Sequence, residues 1–108
     1  MGQEDTIYKG DDATALTGAD IKELLDGVPG WSLRDLTIER EFTFRNFEEA
    51  MEFVNKVAAL ANAEDHHPDI LISYNKVHLT LTTHKARGLT CKDFILAAKI
   101  SHAEEVGR

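Results

Sequence analysis

Between Ile70 and Thr83 the bulky apolar residues fall on alternate positions: Ile70, Ile72 and Tyr74 before Asn75-Lys76, and Val77, Leu79 and Leu81 after it. A period of two demands extended strands, because a helix would scatter the same side chains around its circumference. An Asn-led two-residue loop suits the positive φ of a tight turn, so the stretch predicts an antiparallel hairpin around positions 75 and 76. That turn sets the register, pairing Tyr74 with Val77, Ile72 with Leu79 and Ile70 with Leu81. One face is then apolar throughout and has to be covered by other elements. On the opposite face Ser73 meets His78, Leu71 meets Thr80 and Asp69 meets Thr82, and further out His67 meets His84. Directly opposed Cβ atoms lie roughly 4.5–5.5 Å apart. Two imidazoles are therefore expected side by side at the open end of the hairpin, if pairing persists past Pro68, which lacks a ladder donor and marks a strand start or an edge.

The rest of the chain supplies the cover. Thr17 and Asp20 have capping-box spacing, Ile21, Leu24 and Leu25 then share a helical face, and Gly27 and Pro29 stop it. From Trp31 the period becomes two: a short strand at 31–34 pairs through Asp35 with a longer one carrying Leu36, Ile38, Phe42 and Phe44 on one parity, interrupted by Arg40. Asn46 offers a second N-cap, and Phe47, Ala50, Met51, Val54, Val57, Ala58 and Ala61 follow helical spacing to an end near 62–64. Thr90 with Asp93 opens a last helix bearing Phe94, Ile95, Ala97, Ala98 and Ile100. The order α-β-β-α-β-β-α predicts an α+β fold, one four-stranded antiparallel sheet with three helices packed on one face. Residues 1–16 read as a flexible leader and residues 17–108 as a single domain.

Charge narrows the partners. Nineteen Asp and Glu against 12 Lys and Arg leave a net charge of −7, which excludes the basic stripe needed to neutralise nucleic-acid phosphates or to hold an anionic membrane. No run is long enough to span a bilayer, and the polar N-terminus carries no secretion signal. The lone Cys91 forms no internal disulfide, which fits a reducing, cytoplasmic setting.

Chemistry concentrates in the histidines. His66 adjoins His67, flanked by Asp65 and Asp69, and the predicted register brings His84 to them. Three neutral imidazoles can hold zinc, but no His lies at i, i+4 helical spacing and nothing enforces the ring geometry. Surface histidines that only satisfy turn carbonyls are a second reading. Metal-free acid/base chemistry is preferred to both, since imidazole both donates and accepts protons near neutral pH. His78, near the turn, and His102, near the C-terminus, are read as outside the site.

His66-His67-Pro68, then Tyr74-Asn75-Lys76-Val77, Thr83-His84, and Gly88-Leu89-Thr90 with Asp93, resemble the pterin-4a-carbinolamine dehydratases, and the likeness extends upstream through Gly30-Trp31 to cover residues 17–102. This family includes the dimerisation cofactor of a hepatocyte nuclear factor, a homeodomain transcription factor. The resemblance implies dehydration of 4a-hydroxytetrahydrobiopterin to the quinonoid dihydropterin, which recycles tetrahydrobiopterin for aromatic amino-acid hydroxylases. No metal or cofactor is implied, the pterin being the substrate. It further implies His66, His67 and His84 as catalytic; the chemistry suits His66 and His84 to acid/base roles and His67 to positioning and proton transfer, roles that the sequence does not separate. Trp31, Glu64, Asp65, Pro68 and Asp93 are the implied substrate-binding set. Trp31 reads equally well as a core aromatic, and Asp93 as a helix cap. Family members commonly carry an acidic residue where this chain has Asn62, leaving Glu64 or Asp65 to supply a carboxylate. A homodimer or homotetramer is implied, and as the alternative function a coactivator module that binds a helical protein partner, which would admit a nuclear location.

Overall fold

A computed structural model describes residues 14–107. The helices are α1 (Gly18–Leu25), α2 (Phe47–Glu64) and α3 (Cys91–Gly107); the strands are β1 (Ser32–Arg34), β2 (Thr37–Thr43), β3 (Asp69–Ser73) and β4 (Lys76–Leu81). They form one antiparallel sheet in the order β1-β2-β4-β3, so the two hairpins join through β2 and β4, and β1 and β3 are its edges. The α+β architecture and the order of elements are as the sequence predicts.

Each helix starts where its cap dictates. Thr17 and Asp20 make both bonds of a capping box, and the Asn46 side chain accepts from the Glu49 N–H at 2.9 Å. Helix α2 buries Ala50, Phe53, Val54, Val57 and Ala61, while α3 buries Phe94, Leu96, Ala97 and Ile100. Against them lie Ile38 and Phe42 of β2 and Val77, Leu79 and Leu81 of β4. Leu36, expected on the inward parity, sits in the β1–β2 turn and is 61% exposed. Arg40 does share the inward parity. It stacks on Phe42 at 4.3 Å and donates to the Ser101 hydroxyl at 3.0 Å. Gly30, beside that guanidinium, takes φ +94, a conformation that residues with a Cβ rarely adopt. Of the predicted leader, residues 1–13 lie outside the described residues. Leu16 packs on the core and bonds Leu89, so the packed chain begins ahead of Thr17.

The β3–β4 register corrects the sequence expectation. Ile72 faces Val77, Ile70 faces Leu79 and Asp69 faces Thr80, so the two-residue loop is Tyr74-Asn75 and not Asn75-Lys76. Tyr74, at φ 52, takes the positive dihedral. Asn75 is committed elsewhere: its Nδ2 donates to the Phe44 carbonyl at 2.8 Å, and its own carbonyl accepts the Phe44 N–H at 2.8 Å. A slip of two residues keeps every side chain on its face, so the hydrophobic pattern could not choose between the registers, and the clamp on Phe44 does. Pairing ends at Asp69–Thr80, so His67 and His84 are not cross-strand partners.

Tyr74→Gly tests this register. In the left-handed region a non-glycine residue costs about 1 kcal/mol, so urea denaturation should show Tyr74→Gly neutral or stabilising. A turn at 75 and 76 would instead make it a strand-interior glycine, and a loss above about 1 kcal/mol would favour that turn.

Candidate active site

The histidines meet through two chain reversals. Helix α2 ends on Asp65, which takes a left-handed conformation (φ 53) and bonds back to Ala61 and Asn62. His66 and His67 leave the helix end at that corner, immediately before β3. On the other side, β4 runs out at Leu81, and Thr83 and Gly88 form an isolated antiparallel bridge that closes a short loop. The loop holds a 3₁₀ turn, His84–Ala86, terminated by Arg87 at φ 57. Between the corner and the loop lies an open cleft of ≈310 Å³, lined by Asp65, His66, His67, Thr82, Thr83, His84 and Lys85. Larger clefts exist, such as one of ≈490 Å³ between the end of β2, α2 and α3, but that one gathers no imidazole.

The cleft is fastened from beneath. Asp93 is fully buried in the first turn of α3. Its Oδ2 accepts the Thr90 N–H at 2.9 Å, the predicted capping contact. Its Oδ1 lies 2.6 Å from Nε2 of His66, whose side chain is only 10% exposed. One carboxylate thus caps a helix and anchors an imidazole. A carboxylate favours the tautomer with the proton on Nε2, which commits that nitrogen to Asp93 and leaves Nδ1 for chemistry. His67 has a neutral partner, with Nε2 3.0 Å from Oδ1 of Asn62. The His84 ring has no hydrogen-bond partner among the described residues and is exposed, free to meet a ligand.

The predicted site residues separate into groups. Asp65, His66, His67 and His84 surround the cleft, and Asp93 reaches it through His66. Glu64 forms an ion pair with Lys99, and Pro68 follows His67 without lining the cleft. Trp31 is 6% exposed, edge-on to Phe42, and donates from Nε1 to Ser101 at 2.9 Å. Ser101 lies eight residues beyond Asp93, about 12 Å along α3, so Trp31 stands in the core away from the cleft. Of the other histidines, His78 bonds Glu39 at 3.0 Å on the outer sheet face, and His102 borders a separate cleft with Arg40 and Glu105. Thr83 was given no role from sequence. Its signal was parity, since 83 continues the inward series 77, 79, 81 and puts a hydroxyl where an aliphatic is expected.

The sequence model of the family described as pterin 4 alpha carbinolamine dehydratase matches residues 14–103. The chain belongs to this family. It is 58% identical over 85 residues to a protein of Picosynechococcus sp. that bears the dehydratase name, covering 79% of this chain and 92% of that one. A protein of the same name from Thermomicrobium roseum is 51% identical over 86 residues, covering 80% and 92%. Among solved structures, a transcriptional coactivator/pterin dehydratase from Brucella melitensis superposes with a TM-score of 0.80 at 35% identity, covering 83% of this chain and 98% of that one. The family is one of enzymes, and in this member three imidazoles line one cleft. No described helix is long and apolar enough to cross a membrane, and no described group of His, Cys, Asp and Glu is arranged to hold a metal ion.

Two outcomes follow from this geometry. A hydrogen bond to a charged group is worth about 1.5–3 kcal/mol, and an amide at position 93 cannot accept from Thr90, Thr83 and His66 as the carboxylate does, so Asp93→Asn should lower unfolding free energy by about that amount in chemical denaturation. The thiol of Cys91 is pushed up by burial and, secondarily, by Asp20. Iodoacetamide should therefore label it far more slowly in the folded protein than in denaturant.

Proposed function

We propose that the cleft binds a 4a-hydroxytetrahydropterin, of which 4a-hydroxytetrahydrobiopterin is the form the resemblance implies, and removes water from it by histidine acid/base catalysis. The observation that carries this reading is the convergence of His66, His67 and His84 on one cleft, with His66 braced by a buried carboxylate. The reaction asks little else of a protein. The C4a–O bond breaks, the leaving hydroxyl takes one proton and departs as water, and a ring N–H of the pterin gives up one proton, leaving the quinonoid dihydropterin. No electrons are exchanged with a second reactant. Two imidazoles on either side of the ring suffice, one donating to the oxygen and the other accepting from nitrogen. His66, held by Asp93, and His84, with its ring free, take these two roles; His67, tethered to Asn62, orients the substrate and relays protons. The product of such a reaction feeds the regeneration of tetrahydropterin for aromatic amino-acid hydroxylases.

Self-association suits the same chain. Among the described residues no further strand pairs with either sheet edge, and the edges carry exposed apolar side chains, Leu33 beside Leu36 at one and Ile70, Leu71 and Tyr74 at the other. Unprotected edges of this kind favour pairing with a second copy.

The test is the rate of quinonoid dihydropterin formation from 4a-hydroxy substrate generated in situ by a hydroxylase. Each acid/base group contributes on the order of 10²–10⁴-fold, so His66→Ala and His84→Ala should each lower kcat by about that factor. Wild-type rates in both variants would remove the catalytic assignment.

A further inference from the structure

The proton on the inner edge of His66 has an address that can be traced hydrogen bond by hydrogen bond. The Thr83 hydroxyl, 3% exposed, donates to Oδ2 of Asp93 at 2.8 Å. It also lies 2.8 Å from the Thr90 hydroxyl, which is fully buried. A hydroxyl has one proton, and that of Thr83 is spent on the carboxylate, so Thr90 must be the donor between the two. The Thr90 oxygen in turn accepts the Lys92 N–H at 3.3 Å. Every proton in the chain from Lys92 through Thr90 and Thr83 therefore points toward Asp93. With the Thr90 N–H, two donors converge on Oδ2 alone. No described buried side-chain nitrogen or oxygen lacks a partner, so the network is complete.

The consequence falls on the other carboxylate oxygen. Between Oδ1 and Nε2, 2.6 Å apart, a single proton is shared. Two donors on Oδ2 hold the carboxylate in the orientation that turns Oδ1 toward Nε2, and an acceptor facing Nε2 keeps the imidazole proton on that nitrogen. Take the Thr83 hydroxyl away and Asp93 keeps one donor there, while the Thr90 hydroxyl loses its acceptor.

We propose that Thr83, backed by Thr90, is a positioning residue that fixes His66 as the Nε2–H tautomer, so that His66 exchanges protons with the substrate through Nδ1 alone. The proposal rests on the dehydratase reading for its catalytic consequence, but not for the tautomer itself.

The experiment compares the wild type with Thr83→Val, which keeps the shape and deletes the hydroxyl, and Thr83→Ser, which keeps the hydroxyl. Long-range ¹H–¹⁵N correlation spectra at a pH where His66 is neutral report which ring nitrogen carries the proton. Wild type and Thr83→Ser should show one tautomer with the proton on Nε2, and Thr83→Val a mixture or the Nδ1–H form. In turnover, Thr83→Val should lower kcat about 10- to 100-fold with KM nearly unchanged, and Thr83→Ser should restore it to within a few-fold. An Nδ1–H tautomer in the wild type overturns the proposal without any variant. So does a Thr83→Val protein that loses kcat while His66 stays wholly Nε2–H, since Thr83 would then act through packing. If the wild type dehydrates no pterin carbinolamine, the dehydratase reading falls, and the tautomer spectra still decide the role of Thr83.

Discussion

The buried carboxylate of Asp93 is the constraint on which the site depends. A charge with no exposure is tolerated only when its oxygens are saturated with donors, and here the chain brings three from separate places: the backbone of Thr90, the hydroxyl of Thr83 and the ring of His66. Each donor fixes one element. The Thr90 N–H starts α3, Thr83 ties in the loop that carries His84, and His66 draws in the corner at the end of α2. The first turn of a helix is also where a negative charge is favoured by the backbone dipole. A helix cap and an imidazole anchor are thus one group, so the start of the C-terminal helix and the floor of the cleft share a residue.

Hydrophobic periodicity made most of the architecture legible. The caps at Thr17, Asn46 and Thr90 and the alternation through Ile38, Phe42, Val77, Leu79 and Leu81 mark elements whose local preference and tertiary burial agree. The β3–β4 register was legible only up to a shift of two residues, because a period of two is blind to such a shift. What decides it is the long-range clamp between Asn75 and Phe44, a contact that no local rule contains. The cluster of histidines survives the correction because it never needed the ladder: a left-handed Asp65 and the Thr83–Gly88 bridge carry His66, His67 and His84 to the cleft through loops.

The second tier of the site was partly readable. Asp93 could be read as a cap, which it is, but its bond to His66 spans 27 residues and appears only in three dimensions. Thr83 announced itself by polar character at an inward position, yet which buried group it serves depends on where α3 begins. Trp31 was ambiguous between core and cleft, and its packing on Phe42 and bond to Ser101 place it in the core. Asn62 stands against His67, so the position at which the resemblance implies an acid meets that imidazole with a neutral amide oxygen.

Five histidines in a chain of this length provide their own controls, three at the cleft and two elsewhere. The most direct measurement is histidine ring NMR during titration with an unreactive pterin such as a 7,8-dihydropterin. The account predicts that His66, His67 and His84 shift together along one saturable curve while His78 and His102 stay in place. Shifts confined to His78 or His102, or no saturable response at the three, would contradict it.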